Sequence, residues 1–418
     1  MGRTRTRSLI SLYTGAGGLD LGFEAAGFET RVALEMDADA VRTLRHNRDW
    51  PLIPEDIHSD AATSDRILAM GGLREGGADA LIGGPPCQPF SKSGYWATGD
   101  AKRLADPRAS TLGAYLRVLR DTLPATFVLE NVPGIAFNAK DEGLDFLRRE
   151  IDRINRDRKV HYSFCPALLK AVEFGVPQDR QRVFVVGHRD GKEFSFPAPT
   201  HHRPFEGLLL QPNIERYLTA WDAIGHLEGD DDPSLRVTGK WASLLPSIPE
   251  GSNYLFHTDR GSDAGKGLPL FGWRRRYWNF LLKLAKAAPS WTIAAQPGPA
   301  IGPFHWKNRR LSARELALLQ TFPADYQIVG SLRAAQKQVG NAVPSALAER
   351  LALEIRAQLL GDLRAASRGL LTLLPERRGR LPAPEPIAEV PQEYLHLVGD
   401  HLPHPGTGLG FRARTRVL

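Results

Sequence analysis

The stretch SLISLYTGAGGLDLGF, residues 8–23, decides the fold. Residues 8–13 form an apolar run of strand length, and residues 18–27 repeat apolar side chains at helical spacing. The glycines between them let a backbone turn tightly and come close to a ligand. Outward from this strand-turn-helix unit the alternation continues, with strands over 30–35, 79–83, 126–130 and 183–188 and helices over 37–47 and 108–122. The pattern predicts parallel strands joined by crossover helices, the doubly wound α/β class. Ligands of such sheets lie beyond the carboxyl ends of the strands, where several of this chain's polar and glycine-rich clusters fall.

From 191 to about 300 the alternation stops and Gly, Pro, Asp and aromatic residues rise. Periodicity returns over 312–321, where Ser312 and Glu315 have the spacing of a capping box, and again over 343–360. This predicts four parts: 1–190, an α/β domain; 191–305, a smaller irregular domain; 306–360, a return segment where helical periodicity resumes; and 361–418, a C-terminal extension. The extension is rich in Arg, Pro and Leu and reads as a loose tail or a docking arm.

The 418 residues carry a net charge of +7, with 42 Arg and 12 Lys. Positive charge favours a polyanionic partner, since each cation placed on a phosphate releases counterions; an Arg-rich, Lys-poor chain also follows from a GC-rich genome. No apolar run approaches the ~18 residues of a membrane span, and the start lacks the pattern of a secretory signal. The two cysteines, Cys87 and Cys165, form at most one bridge and give no zinc-type ladder. No membrane, no metal and a reducing cytoplasmic compartment are therefore expected.

Four clusters carry chemistry. The first, Tyr13 to Asp20, departs from the dinucleotide fingerprint because Asp20 stands where the third glycine belongs. Glu35 lies 20 residues after Gly15 and can accept both hydroxyls of a ribose. Met36 can cover an adenine face, and Asp56-Ile57 can read its amino group. An adenosyl cofactor, a nicotinamide cofactor and a plain structural turn all remain open on these residues. The second cluster is GGPPCQPFS, 83–91. Prolines on both sides hold Cys87 in a fixed direction, whereas Cys165, in HYSFCPALL, has the apolar setting of a structural cysteine. A reactive Cys87 needs its thiol ionised by nearby positive charge, for which Lys92 and Arg103 are near in sequence. The third, ENVPG at 130–134, places Glu130 at the end of an apolar strand, where burial raises a carboxyl pKa and suits it to acid catalysis; a turn cap is the alternative. The fourth, QDRQR at 178–182, sets Arg180 and Arg182 on one face of an extended segment, fit for a phosphate, carboxylate or base carbonyl, or simply a solvated charge run.

In this order, and followed by RRLSARELALLQTFP (309–323) and QVGNAVPSALA (338–348), the clusters resemble the DNA (cytosine-5) methyltransferase family, of the bacterial restriction-modification or phage-defence type. The resemblance covers roughly 8–190 and 290–360. It implies a Rossmann-like methyltransferase domain with a smaller target-recognition domain, and methylation of carbon-5 of a flipped-out cytosine in a specific double-stranded DNA sequence. Cys87 would attack carbon-6, Glu130 would bind ring nitrogen-3 and the amino group, and Arg182, with Arg180 close by, would contact the base carbonyl. The methyl donor would be S-adenosyl-L-methionine, held by Tyr13, Gly15, Gly17, Gly18, Leu19, Glu35, Met36, Asp56 and Ile57 and closed over by Asn341 and Val343. Residues 91–106 would close on DNA as a loop, bringing Ser91 and Ser93 to it. A base must leave the helix for such chemistry.

Residues 191–300 would then read DNA, as a monomer on the duplex, with Arg274, Arg275 and Arg276 interleaved with Trp273, Tyr277 and Trp278 as phosphate and groove contacts; a basic turn over a small aromatic core is the other reading. Three departures stand out. Tyr13 replaces the commoner Phe, His305-Trp306 replaces a commoner His-Pro, and the extension after 361 has no counterpart in the smallest members. The rival readings are an RNA (tRNA) cytosine-5 methyltransferase, whose short Cys-Phe-Thr signature and small variable domain this chain lacks, and a catalytically silent DNA-binding protein on the same fold.

Overall fold

A computed structural model describes residues 6–86, 109–133, 142–203, 215–227, 232–259, 266–274, 277–362, 371–399 and 401. Its centre is a seven-stranded sheet. In chain order the strands are β1 (Arg7–Leu12), β2 (Phe28–Leu34), β3 (Leu52–Ile53), β4 (Ala80–Gly83), β5 (Thr126–Asn131), β6 (Ser163–Lys170) and, after the two-residue β7 (Gln178–Asp179), β8 (Gln181–His188). They lie in the order β3-β2-β1-β4-β5-β8-β6. The sheet is doubly wound because each strand offers apolar residues to both faces. Ile10, Leu12, Leu81, Phe127, Leu129, Val183 and Val185 enter one core, and Leu9, Ile82, Val128, Phe184 and Val186 enter the other, as the period of two requires.

The first core is covered by α3 (Ser64–Met70), α4 (Ala109–Thr122) and α5 (Glu142–Arg158). The second is covered by α1 (Gly18–Ala25) and by a helix from the far end of the chain (Ser345–Gln358). α2 (Ala38–Asn47) follows β2, and its Asp37 cap accepts from the amides of Asp39 and Ala40. The seam between α1 and the C-terminal helix needs glycine. A Cβ on Gly18 would lie 2.4 Å from the Val343 carbonyl oxygen, and one on Gly22 would lie 2.4 Å from Ala348 Cβ.

The sheet corrects the expectation of parallel strands throughout. β1 to β5 are parallel, but β8 runs antiparallel to β5 and β6 runs antiparallel to β8. Apolar periodicity marks a strand and its buried faces without encoding its direction, so the reversal was not legible. β6 was not anticipated either. It is a half-exposed edge strand interrupted by Pro166, and Cys165 sits on it as a partly buried free thiol.

Beyond β8 the chain is mostly turns and short helices, with the paired dipeptides β9 (His201–His202) and β10 (Glu215–Arg216), the helix α6 (Ala220–Ile224), and β11 (Ser290–Trp291) beside β7. Its own core is aromatic: Phe304, with Trp241, Phe271 and Phe280, surrounds Leu244, Leu281 and Tyr394. α7 (Ala313–Leu319) begins with the anticipated capping box, Ser312 Oγ accepting from the Glu315 amide at 3.2 Å and Glu315 accepting from the Ser312 amide at 2.8 Å. α8 (Leu332–Asn341) and α9, the C-terminal helix above, follow. Trp306, at the departure from His-Pro, is fully buried and packs against Trp221 at 6.0 Å between ring centroids.

The described part of the C-terminal extension, 371–399, is a docked arm rather than a loose tail. The Thr372 hydroxyl donates to the buried Glu349 of α9 at 2.7 Å. Further on, the Arg378 amide donates to Asp222 of α6 at 2.8 Å, Glu385 pairs with Lys286 at 2.8 Å, and Tyr394 stacks on Trp241 with centroids 5.6 Å apart. Among the described residues no helix is long and apolar enough to cross a membrane.

Candidate active site

The carboxyl ends of β1, β2, β4 and β5 open onto one cleft of about 910 Å³. The antiparallel direction of β8 matters here. Its amino end lies at the same sheet edge, where Asn131 pairs with Val183, so Arg182 arrives beside the carboxylate that ends β5.

Glu130 and Arg182 form an ion pair, Nε to Oε1 at 2.9 Å, and both line the cleft. Burial pushes the Glu130 carboxyl up, and the guanidiniums of Arg182 and Arg180 pull it back only in part. Gly84 makes room for this carboxylate, since a Cβ there would fall 2.8 Å from Glu130 Oε2. The Asn131 amide donates to the Pro85 carbonyl at 3.2 Å, tying the end of β5 to the segment that leads into Cys87. Pro85 and Pro86 line the cleft, and Cys87 follows them directly in the chain. Cys87 itself, like Ser91, Ser93, Lys92 and Arg103, lies outside the described residues.

Arg180 is a correction. Expected close to the base beside Arg182, it is 1% exposed and does not line the cleft. Its guanidinium donates to the carbonyls of Gly340 at 2.7 Å and Ile293 at 3.3 Å. The segment before β8 runs beneath the return segment, so this arginine ties β8 to α8. Burial lowers its pKa first and Arg182 lowers it further, with Glu130 opposing.

The other end of the cleft is built by the glycine-rich turn. Gly15 has φ +57° and nothing within 4 Å of where a Cβ would stand, so its face is open. Its amide donates to Glu35 Oε2 at 2.7 Å, and the Asp37 amide donates to Glu35 Oε1 at 2.7 Å. Burial raises the Glu35 pKa, and these amides hold it back in part. Tyr13, in the left-handed region at φ 55°, donates from its hydroxyl to the Thr111 carbonyl at 2.7 Å. Tyr13, Gly18, Leu19, Met36, Asp56, Ile57, Asn341 and Val343 all line the cleft, Met36 with 64% of its surface exposed. Gly17 does not. It supplies the left-handed turn before α1, φ 84°, and packs toward Leu44 and Tyr326, so its expected place in the lining is corrected.

The lining also holds residues to which the sequence assigned no role, among them Asp20, Asn131 and Lys337. Lys337 of α8 bridges to Asp37 at 2.5 Å across the cleft mouth. The family resemblance of QVGNAVP pointed to Asn341 and Val343, but nothing local marks Lys337, whose partner is 300 residues away. Carboxylates predominate at this end, with Glu35, Asp37, Glu55 and Asp56 in the lining, which suits a cationic ligand.

Away from the cleft, Arg274 is held by its backbone, whose amide donates to Tyr254 Oη at 3.0 Å, and its guanidinium lies 5.1 Å from the Tyr277 ring centre. Tyr277 and Trp278 beside it are 44% and 55% exposed. Arg275 and Arg276 lie outside the described residues.

A family model described as C-5 cytosine-specific DNA methylase matches residues 7–357. The Type II methyltransferase M.SacI of Streptomyces achromogenes is 37% identical over 376 residues, covering 84% of this chain and 93% of that protein. The Type II methyltransferase M.AquIA of a Picosynechococcus strain is 41% identical over 243 residues, covering 56% of this chain and 94% of that protein. Among solved structures, a prophage-encoded Escherichia coli protein described as a DNA modification methyltransferase superposes with a TM-score of 0.57 at 23% identity, covering 85% of this chain and 100% of that one. A DNMT2 of Spodoptera frugiperda gives 0.56 at 16%, covering 84% of this chain and 99% of its own. These two likenesses concern the fold.

Proposed function

The chain belongs to the C-5 cytosine-specific DNA methylases and is a DNA cytosine-5 methyltransferase; from that premise we propose that Cys87, Glu130 and Arg182 carry out the reaction on a cytosine flipped out of a specific duplex sequence, with S-adenosyl-L-methionine as methyl donor. The observation that carries this reading is the Glu130–Arg182 pair opening into the same cleft as Gly15 and Glu35. One continuous space joins a base-reading pair to an acidic, glycine-lined pocket fit for a cationic adenosyl ligand.

Bound there, S-adenosyl-L-methionine supplies an electrophilic methyl group on a sulfonium. Glu35 would take the ribose hydroxyls through the lone pairs its two amide bonds leave free, Met36 and Ile57 would cover the adenine, and Asp56 would meet its amino group. Asn341 and Val343 would close the pocket from the return segment. Cytosine carbon-5 is a weak nucleophile, and a covalent partner is needed to activate it. The Cys87 thiolate would add to carbon-6 and push the ring electrons toward carbon-5. Glu130 would donate to ring nitrogen-3 and accept from the amino group, a role its raised pKa favours because more of it stays protonated. Arg182 would orient Glu130 and bind the base carbonyl. After carbon-5 takes the methyl group, loss of the carbon-5 proton returns the electron pair to the ring and expels Cys87. Arg180 would act through its backbone contacts, holding β8 in place.

DNA is the substrate in this reading, and the region around Arg274 and Tyr277 is its second contact surface. The relatives named as Type II methyltransferases support a role in restriction-modification; in this reading a monomer acts on the duplex. The test is transfer of labelled methyl groups from S-adenosyl-L-methionine to duplex DNA of varied sequence and to tRNA, with Cys87→Ser as control. Transfer to DNA alone, lost in the variant, is expected; transfer only to tRNA, or none at all, would overturn the reading.

A further inference from the structure

The irregular region holds two fully buried lysines, Lys283 and Lys286, each 2% exposed. Lys286 donates to Glu250 at 2.7 Å and to Glu385 of the C-terminal arm at 2.8 Å. The Glu385 amide also donates to Glu250, at 2.8 Å. Burial works against the charge on Lys283, and Glu250 and Glu385 are the two carboxylates that support it. The region's own chain therefore brings one of these carboxylates to two buried ammonium groups, and the arm brings the other. A buried cation left short of a counter-charge is strongly unfavourable. Charge balance in this core is thus complete only when the arm is docked.

The arm has no helix or strand of its own from 380 to 391. It is held instead at separate anchors, with Thr372 on the α/β domain at one end and Tyr394 on Trp241 at the other. It bridges the α/β domain and the irregular region, adding to the pairing of β11 with β7 and the Arg180 contact with Ile293.

We propose that the arm is a positioning element for DNA: Glu385 on Lys286 and Tyr394 on Trp241 fix the irregular region in the orientation that lets it and the catalytic cleft engage one duplex. This rests on the reading above that the irregular region contacts DNA. No described residue of the arm lines the cleft, so its effect is on DNA engagement and not on donor binding.

Full-length Glu385→Lys and Tyr394→Ala variants test this, with Glu385→Asp as the conservative control. Hydrogen exchange over 380–397 reports release of the arm, and steady-state kinetics on duplex DNA with separate calorimetry of S-adenosyl-L-methionine report the consequence. Release with KM for DNA raised about tenfold or more is expected, while kcat at saturating DNA and the donor Kd stay within about twofold and Glu385→Asp stays near wild type. An arm that keeps its protection in both variants, an unchanged KM despite release, or a donor Kd that weakens in step with KM would each overturn the proposal. Wild-type protein inactive on every duplex would instead strike the functional reading beneath it.

Discussion

At the scale of single residues, the site depends on a contact between two of the motifs, GGPPCQPFS and ENVPG. Gly84 lies where any Cβ would press on the Glu130 carboxylate, 2.8 Å from Oε2. That carboxylate cannot swing aside freely, because Arg182 holds its other oxygen at 2.9 Å. Gly84→Ala is therefore expected to lower kcat by about 10²-fold, the cost of small misplacement of a reacting group, with little change in thermal stability. Kinetics beside a melting curve check it; an unchanged kcat would show that Glu130 is not positioned as described. Glu130 and Arg182 were legible through the resemblance of ENVPG and QDRQR to the family's motifs; on spacing alone a turn cap and a solvated charge run stayed open. Gly84 and the burial of Arg180 were not, because each is defined by atoms that meet only in three dimensions.

At the scale of elements, α1 is pressed between the sheet and α9. Gly18→Ala would set a Cβ 2.4 Å from the Val343 carbonyl, and overpacking of this kind costs about 1–3 kcal/mol. Since Gly18 and Val343 both line the donor end of the cleft, the variant should both melt earlier and bind S-adenosyl-L-methionine more weakly by calorimetry. Asp20, in the first turn of the same helix, is 1% exposed. Burial pushes its pKa from 3.8 to about 7, with the Ser11 hydroxyl opposing only in part. Protonation is thus easier in the folded chain than in the unfolded one, so stability is greatest below the unfolded pKa and falls as pH rises through the folded value. Asp20→Asn should remove that fall, and its gain in Tm over wild type should grow between about pH 4 and pH 7, the window between the unfolded value of 3.8 and the folded value of about 7, and level off above it. A gain independent of pH would mean that Asp20 is not charged at a cost. The α1 start and the α7 capping box were readable from local chemistry. The direction of β8 was not, because hydrophobic period is blind to it.

At the scale of the whole molecule, the C-terminal part of the chain completes what the earlier parts begin. α9 supplies the second face of the sheet, α8 supplies Lys337 and Asn341 at the cleft, and the arm supplies Glu385 to the irregular region. The return segment was legible because its apolar period is strong. The arm was only half legible: its Pro-rich composition marks an extended segment, while its anchors belong to other parts of the chain. The central claim, that this fold exists to bring a cytosine to Cys87, is tested most directly by covalent trapping. Duplex DNA carrying 5-fluorocytosine at a methylated site, incubated with S-adenosyl-L-methionine, should form a denaturation-stable adduct whose cross-linked peptide contains Cys87, and Cys87→Ser should form none. An active enzyme that gives no adduct, or one cross-linked through another residue, would contradict the account.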